Sequence, residues 1–128
     1  MSSVVSINGK TYYGNSITIK KDGTVIIDGQ NATPENEKVI NITVEGDIES
    51  IDADYCSKIE IKGSVKKWVT NGSGEISICG DVTGNVSNEA GNIQCGNVGG
   101  SVKNEAGNIK CGDVTGNVST MTGNIKRK

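Results

Sequence analysis

The residues best suited to chemistry in this sequence are its cysteines, since a thiolate can bind a metal, attack a substrate or form a disulfide. The four are Cys56, Cys79, Cys95 and Cys111, and the last three are evenly spaced. They form no Cys-x-x-Cys pair and the chain has no histidine, whereas zinc sites normally use closely spaced ligands of these types. We therefore expect no metal or other cofactor and free, at least half-buried thiols, with a Cys95–Cys111 disulfide as the alternative.

Acidic residues are the other candidates for catalysis, but they occur singly. Asp81, Glu89 and Asp113 stand alone at predicted turns, whereas polysaccharide hydrolysis needs two carboxylates facing one groove. Without histidine there is no imidazole base, and no Ser or Cys nucleophile has an evident basic partner. The calcium-binding nonapeptide Gly-Gly-x-Gly-x-Asp is also missing. We predict that the protein is not an enzyme.

The even spacing of the later cysteines belongs to a sequence repeat. Residues 80–87, 96–103 and 112–119 are nearly identical and recur at a constant period, and weaker copies with a slightly longer period extend back to residue 46. A unit this short cannot bury its own apolar face and must stack on the next one. We predict a solenoid over residues 39–128.

Each repeat has the pattern of short strands rather than of a helix. Apolar residues alternate in bursts, as in Ile93 with Cys95, then Val98 and Val102, and glycines separate the bursts. Val and Ile supply nearly all the aliphatic bulk, and Leu and Phe are absent. We predict an all-β fold: a right-handed, three-sided parallel β-helix with 16–17 residues per rung and a small N-terminal antiparallel β cap. Three stacked columns should form its core: Val82, Val98 and Val114; Val86, Val102 and Val118; and Ile76, Ile93, Ile109 and Ile125.

Two further positions follow from aligning the repeats. Ile78 aligns with Cys95 and Cys111, so we expect Cys79 to point outward. Repeated asparagines flank a glycine, and we predict structural turns there rather than an active site, with side chains bonded from rung to rung. These asparagines are Asn88, Asn92, Asn104, Asn108 and Asn124.

The N-terminal segment, residues 1–38, differs from the repeat. Residues 4–7, 16–20 and 24–28 alternate as strands, with turns at Asn8–Gly9 and at residues 21–23. Residues 29–38 contain the only proline of the sequence and almost no apolar residue, which predicts a linker. We predict a cap and linker over residues 1–38 in front of the solenoid.

Charge is unevenly divided. Residues 1–60 carry five Lys against ten acids, and residues 61–128 carry eight Lys and Arg against five acids. This asymmetry favours head-to-tail contact, or docking of Lys126, Arg127 and Lys128 on an acidic partner; the alternative is that these charges only solvate the last rung.

Trp68, next to Lys66 and Lys67, interrupts the repeat. It either anchors a partner or packs over a solenoid corner. The acidic balance, with one Trp and three Tyr, argues against nucleic acid. No signal peptide or transmembrane segment is evident, so we expect no membrane partner and a place in the cytoplasm or a phage particle.

The segments 42–48, 59–65 and 76–82 (Ile42-Thr-Val-Glu-Gly-Asp-Ile48 and its two copies) resemble bactofilins, the polymer-forming bacterial cytoskeletal proteins. The N-terminal segments 7–10, 14–19 and 25–29 resemble those of small β-helix proteins of phages and bacteria. The polymer-forming nature of bactofilins implies a structural or scaffolding protein. We expect it to self-associate into a homo-oligomer through rod ends or flat sides, because the open last rung near Ile125 is a template for another chain. The alternative is a phage or bacterial binding module that engages a host or particle protein.

Overall fold

The computed structural model describes residues 3–22, 24–32, 40–54 and 56–127, and these form strands and turns without a helix. The prediction of an all-β fold is confirmed. Within these ranges sixteen strands follow one another: β1 (Ser3–Ile7), β2 (Lys10–Gly14), β3 (Ser16–Ile19), β4 (Val25–Ile27), β5 (Gln30–Asn31), β6 (Asn41–Glu45), β7 (Ser50–Ala53), β8 (Lys58–Ile61), β9 (Val69–Ser73), β10 (Glu75–Ile78), β11 (Val86–Ala90), β12 (Ile93–Gln94), β13 (Val102–Ala106), β14 (Ile109–Cys111), β15 (Val118–Thr122) and β16 (Ile125–Arg127).

From β6 onward the strands alternate between two sheets. Sheet A contains β6, β8, β10, β12, β14 and β16, and sheet B contains β7, β9, β11, β13 and β15, with every neighbouring pair of these strands parallel. A third side consists of single parallel bridges between successive turns. The chain therefore forms a three-sided β-solenoid. We number its five rungs by the residues of this third side, which are Ile48, Val65, Val82, Val98 and Val114.

The core is a set of stacked aliphatic columns, because each inward-facing residue pairs with its equivalent one rung away. Ile76, Ile93 and Ile109 pair in register and are each 1% exposed. The predicted columns are confirmed on all three sides: Ile76, Ile93, Ile109 and Ile125 in sheet A, Val86, Val102 and Val118 in sheet B, and Val82, Val98 and Val114 on the third side.

The repeat becomes one residue shorter at Cys79. Ile76 pairs with Ile93, yet the N–H of Gly96 donates to the carbonyl of Gly80 (3.2 Å), so the segment from Ile76 to Gly80 contains one residue more than the equivalent segment from Ile93 to Gly96. Cys79 is exposed, as predicted, while Ile78 is buried in the core. The extra residue lies on the surface, at exposed Cys79, and the core columns on either side of it stay in register.

A column of asparagines on the strands of sheet B faces the core. Asn71, Asn88 and Asn104 are each 1% exposed, and their Oδ1 atoms have no hydrogen-bond partner within the described residues. The Nδ2 group of Asn88 donates to the carbonyl of Gly74 (2.8 Å), and that of Asn104 donates to Gly91 (2.7 Å). The prediction that Asn88 and Asn104 are turn residues is therefore wrong, because both are strand residues that face the core. Each donates to the carbonyl of the glycine that follows the strand one rung earlier.

Asn92, Asn108 and Asn124 behave as predicted. They lie at an exposed corner, where the N–H of Asn108 donates to Asn92 Oδ1 (3.1 Å) and that of Asn124 donates to Asn108 Oδ1 (3.0 Å). These side chains connect successive rungs.

The N-terminal strands continue both sheets. In sheet A, β1 pairs antiparallel with β6, and β2 forms the edge; in sheet B, β3 pairs parallel with β7, and β4 and β5 follow. The sequence predicted β1, β3 and β4 but not β2 or β5. Part of the predicted linker, Gln30–Asn31, is a strand, and residues 33–39 lie outside the described residues.

Candidate functional site

The last rung ends in a row of backbone N–H groups whose equivalents in earlier rungs donate to the carbonyl groups of the next rung. In rung 4, the N–H groups of Val98, Val102 and Ile109 each donate to a carbonyl of the next rung at 2.8 Å. The equivalent residues at the end of the solenoid are Val114, Val118 and Ile125, and their N–H groups have no acceptor within residues 3–22, 24–32, 40–54 and 56–127. We call Val114, Val118 and Ile125, with the residues that precede them, the final-rung edge.

In the last repeats, the residue before a column residue contributes a side-chain acceptor. The N–H of Asp113 donates to Asn97 Oδ1 (2.8 Å), and the N–H of Asn117 donates to Ser101 Oγ (3.2 Å). At the final-rung edge these acceptors are the side chains of Asp113, Asn117 and Asn124, which receive no N–H in the described part of the chain. Sequence reasoning missed this arrangement, although the repeat signals it: Asp, Asn or Ser precedes Val65, Val82 and their equivalents in every rung.

The final-rung edge is also apolar. Ile109 is 1% exposed, whereas Ile125, its equivalent one rung later, is 42% exposed, and Val118 is half-buried. An open cleft of about 390 Å³ is lined by Gly116, Asn117, Val118 and Ile125. The edge therefore combines apolar side chains with donors and acceptors that lack partners in the described part of the chain.

The predicted C-terminal basic group extends from this edge. Lys126 lies in β16 with an exposed side chain, and β16 ends at Arg127. Lys128 lies outside the described residues.

Trp68 lies three rungs away from the final-rung edge, in rung 2. Its side chain is 44% exposed, and its carbonyl accepts the N–H of Ile51 (3.1 Å). Lys67 Nζ forms an ion pair with Glu49 Oε1 at 2.8 Å, while the exposed Lys66 forms no ion pair within the described residues. Trp68 and Ile125 therefore belong to two separate surfaces.

The thiols differ sharply in exposure. Cys79 is exposed, and the other three are buried and free. Burial raises the pKa of Cys56 to about 12, and Cys56 Sγ donates to backbone carbonyls of Ile40 and Lys58 at 3.4 and 3.2 Å. Burial also raises the pKa of Cys95 to about 12, with a smaller contribution from neighbouring Cys111.

Thiol labelling should therefore distinguish one cysteine from three. At pH 8 we expect Cys79 to react at once with an aromatic disulfide reagent, and the buried thiols to react at least ~100-fold more slowly, since reaction needs an exposed thiolate. Unfolding the protein in denaturant should make all four thiols react rapidly. Cys79→Ser should remove the fast phase alone; rapid reaction of two or more thiols in the native protein would contradict the structure.

The remaining chemical groups are scattered. No cluster of three or more Cys, Asp or Glu that could hold a metal occurs in the part of the chain that the structure describes. A second cleft, of about 210 Å³, contains Asp54, Glu89 and Lys21. No ion pair among the described residues joins these three side chains.

Comparison with protein-family models, with curated proteins and with solved structures finds no match. The resemblance to bactofilins therefore stays a prediction. Within the described residues there is no helix with the length and apolar character needed to cross a membrane.

Proposed function

We propose that this protein is a non-enzymatic structural or scaffolding β-solenoid that self-associates through its final-rung edge. The observation that carries the proposal is a row of groups at this edge that have no partner among the described residues: backbone donors at Val114, Val118 and Ile125, with a side-chain acceptor before each. An open sheet edge is a template for another strand.

The energetic argument rests on what the edge gains by being covered. Each new backbone hydrogen bond contributes about 0.5–1.5 kcal/mol, and burying apolar surface adds ~25 cal/mol per Å². Ile125 and Val118 supply that surface, because their equivalents one rung earlier, Ile109 and Val102, are fully covered. Stacking another solenoid on the edge would repeat the interactions already present between rungs.

The resemblance to bactofilins supports the same proposal, since those proteins form polymers. We propose a bacterial cytoplasm as its location, with a phage particle as the alternative. The proposal requires neither cofactor nor catalytic residue.

Sedimentation velocity over a wide concentration range tests the proposal. We expect the average mass of the native protein to rise with concentration, and Ile125→Lys to remain monomeric, because the lysine would place a charge in the contact. Met121→Lys is the matched control: Met121 lies in the same rung, is 78% exposed and has the outward alternation of β15. It should associate like the native protein. A native protein that stays monomeric, or an Ile125→Lys variant that associates normally, would overturn the proposal.

The second candidate function is a binding module centred on Trp68. The supporting observation is that this tryptophan is 44% exposed beside the exposed Lys66, away from the final-rung edge. A pulldown from bacterial or phage-infected lysate should then lose its partner on Trp68→Ala while the oligomeric state is unchanged. Tyr13→Ala, which removes another exposed aromatic ring, is the control.

A further inference from the structure

We infer that the occupant of the final-rung edge is the N-terminal end of a second copy of this chain, so that the solenoids stack head to tail. This inference rests on the proposed self-association and adds its polarity and its second surface. The second surface is the edge formed by β2 in sheet A and β5 in sheet B.

Strand direction is the first argument. β1 runs antiparallel to β6, and β2 runs antiparallel to β1, so β2 has the direction of the rung strands in sheet A. In sheet B, β3 is parallel to β7 and two further antiparallel steps lead to β5, which again has the rung direction. A second copy stacked on the first would thus place β2 beside β16 and β5 beside β15, with both pairs parallel as in every internal rung.

The backbone of β2 supplies the second argument. Asn8 and Gly9 have φ values of 49° and 87°, typical of a two-residue type I′ turn, which makes Ile7 and Lys10 the first hydrogen-bonded pair of the hairpin. Because such pairs alternate in antiparallel strands, the N–H and C=O groups of Thr11 and Tyr13 point away from β1. They have no partner within the described residues. β2 therefore presents donors and acceptors to a strand such as β16.

Like charge and strand direction both disfavour a symmetric contact between two final-rung edges. A contact between two final-rung edges would bring Lys126 of one copy towards Lys126 of the other and would make the joined strands antiparallel. Attraction between oppositely charged ends is not the basis of this inference. Residues 1–32, which contain the N-terminal strands, carry three Lys and two acids, and the acidic excess lies in residues 33–60. Strand direction, not opposite charge, selects the head-to-tail mode, so added salt should not weaken it.

A mixing experiment tests the polarity. Ile125→Lys blocks the C-terminal end, and Tyr13→Pro blocks the N-terminal end, because proline at this outward-facing position removes the N–H while keeping the β1–β2 bonds. We expect each variant alone to be monomeric and an equimolar mixture to form a dimer that grows no further. Tyr13→Thr, which removes the ring but keeps the N–H, should associate like the native protein. Thr11→Pro repeats the test at the other outward-facing position of β2, and circular dichroism confirms that each variant is folded.

The possible failures are distinguishable. A native protein that never associates overturns the proposed self-association itself. A native protein that associates, together with a Tyr13→Pro variant that still dimerises alone, indicates contact between two C-terminal ends; dimerisation of Ile125→Lys alone indicates contact between two N-terminal ends. Native association with no dimer in the mixture also overturns the head-to-tail inference and leaves self-association standing.

Discussion

Gly91→Ala is expected to destabilise the protein by roughly 3 kcal/mol or more, because two costs coincide at this position. Gly91 has φ of 127°, which a residue with a side chain rarely adopts, and an added Cβ would overlap the carbonyl of Gly74 in the rung before it. That carbonyl cannot retreat without losing its bond from Asn88 Nδ2 (2.8 Å). Relieving the overlap would therefore weaken a hydrogen bond of the buried asparagine column.

Gly9→Ala is the matched control. Gly9 also has a positive φ, of 87°, but an added Cβ would meet nothing within 4 Å. This variant should lose only the backbone cost, about 1 kcal/mol. Urea unfolding of both variants measures the difference; equal losses would show that rung-to-rung contact at Gly91 is not tight.

Asn88→Asp should destabilise the protein strongly at neutral pH and much less at low pH. Asn88 is 1% exposed and its Nδ2 is a donor to the Gly74 carbonyl, so an ionised carboxylate there would be buried facing an oxygen. Keeping the aspartate protonated costs 1.36 kcal/mol per pH unit above its unfolded pKa, which is about 4 kcal/mol at pH 7. The folded-state pKa would be raised, so the relative stability is retained below about pH 4 and lost as the pH rises.

Unfolding free energies at pH 3 and pH 7, each relative to the native sequence, test this expectation. Asn88→Ala removes the same donor without a charge and should show a loss that does not depend on pH. Asn92→Asp places the carboxylate at an exposed corner and should change stability little. A loss at Asn88→Asp that is the same at both pH values would contradict burial of this side chain.

The stacked columns could be predicted from sequence because the repeat supplies their register directly. Ile93 and Ile109 lie one repeat apart and pair one to one, and the one-residue difference between rungs is absorbed at Cys79. In a β-solenoid, an alignment of repeats is already a list of contacts between rungs.

The direction of individual polar side chains could not be predicted in the same way. Asn88 and Asn92 lie on either side of the same glycine, yet the first faces the core and the second faces solvent. The difference depends on where the strand bends and on the Gly74 carbonyl that needs a donor, which a single sequence does not reveal.

The second surface of the proposed assembly was missed for a related reason. β2 lacks the apolar alternation of the rung strands, since Tyr12 is partly buried between exposed neighbours, and its proposed role depends on lying at the edge of sheet A beyond β1. The charge-based expectation stays a prediction; of the acids in residues 33–60, Glu49 forms an ion pair with Lys67.

Small-angle X-ray scattering of the native protein across concentrations tests end-on self-association most directly. Stacking on the final-rung edge lengthens the solenoid without thickening it. We therefore predict that the maximum dimension increases with concentration while the cross-sectional radius of gyration stays constant. A scattering curve that does not change with concentration, or a cross-section that grows with it, would contradict the account.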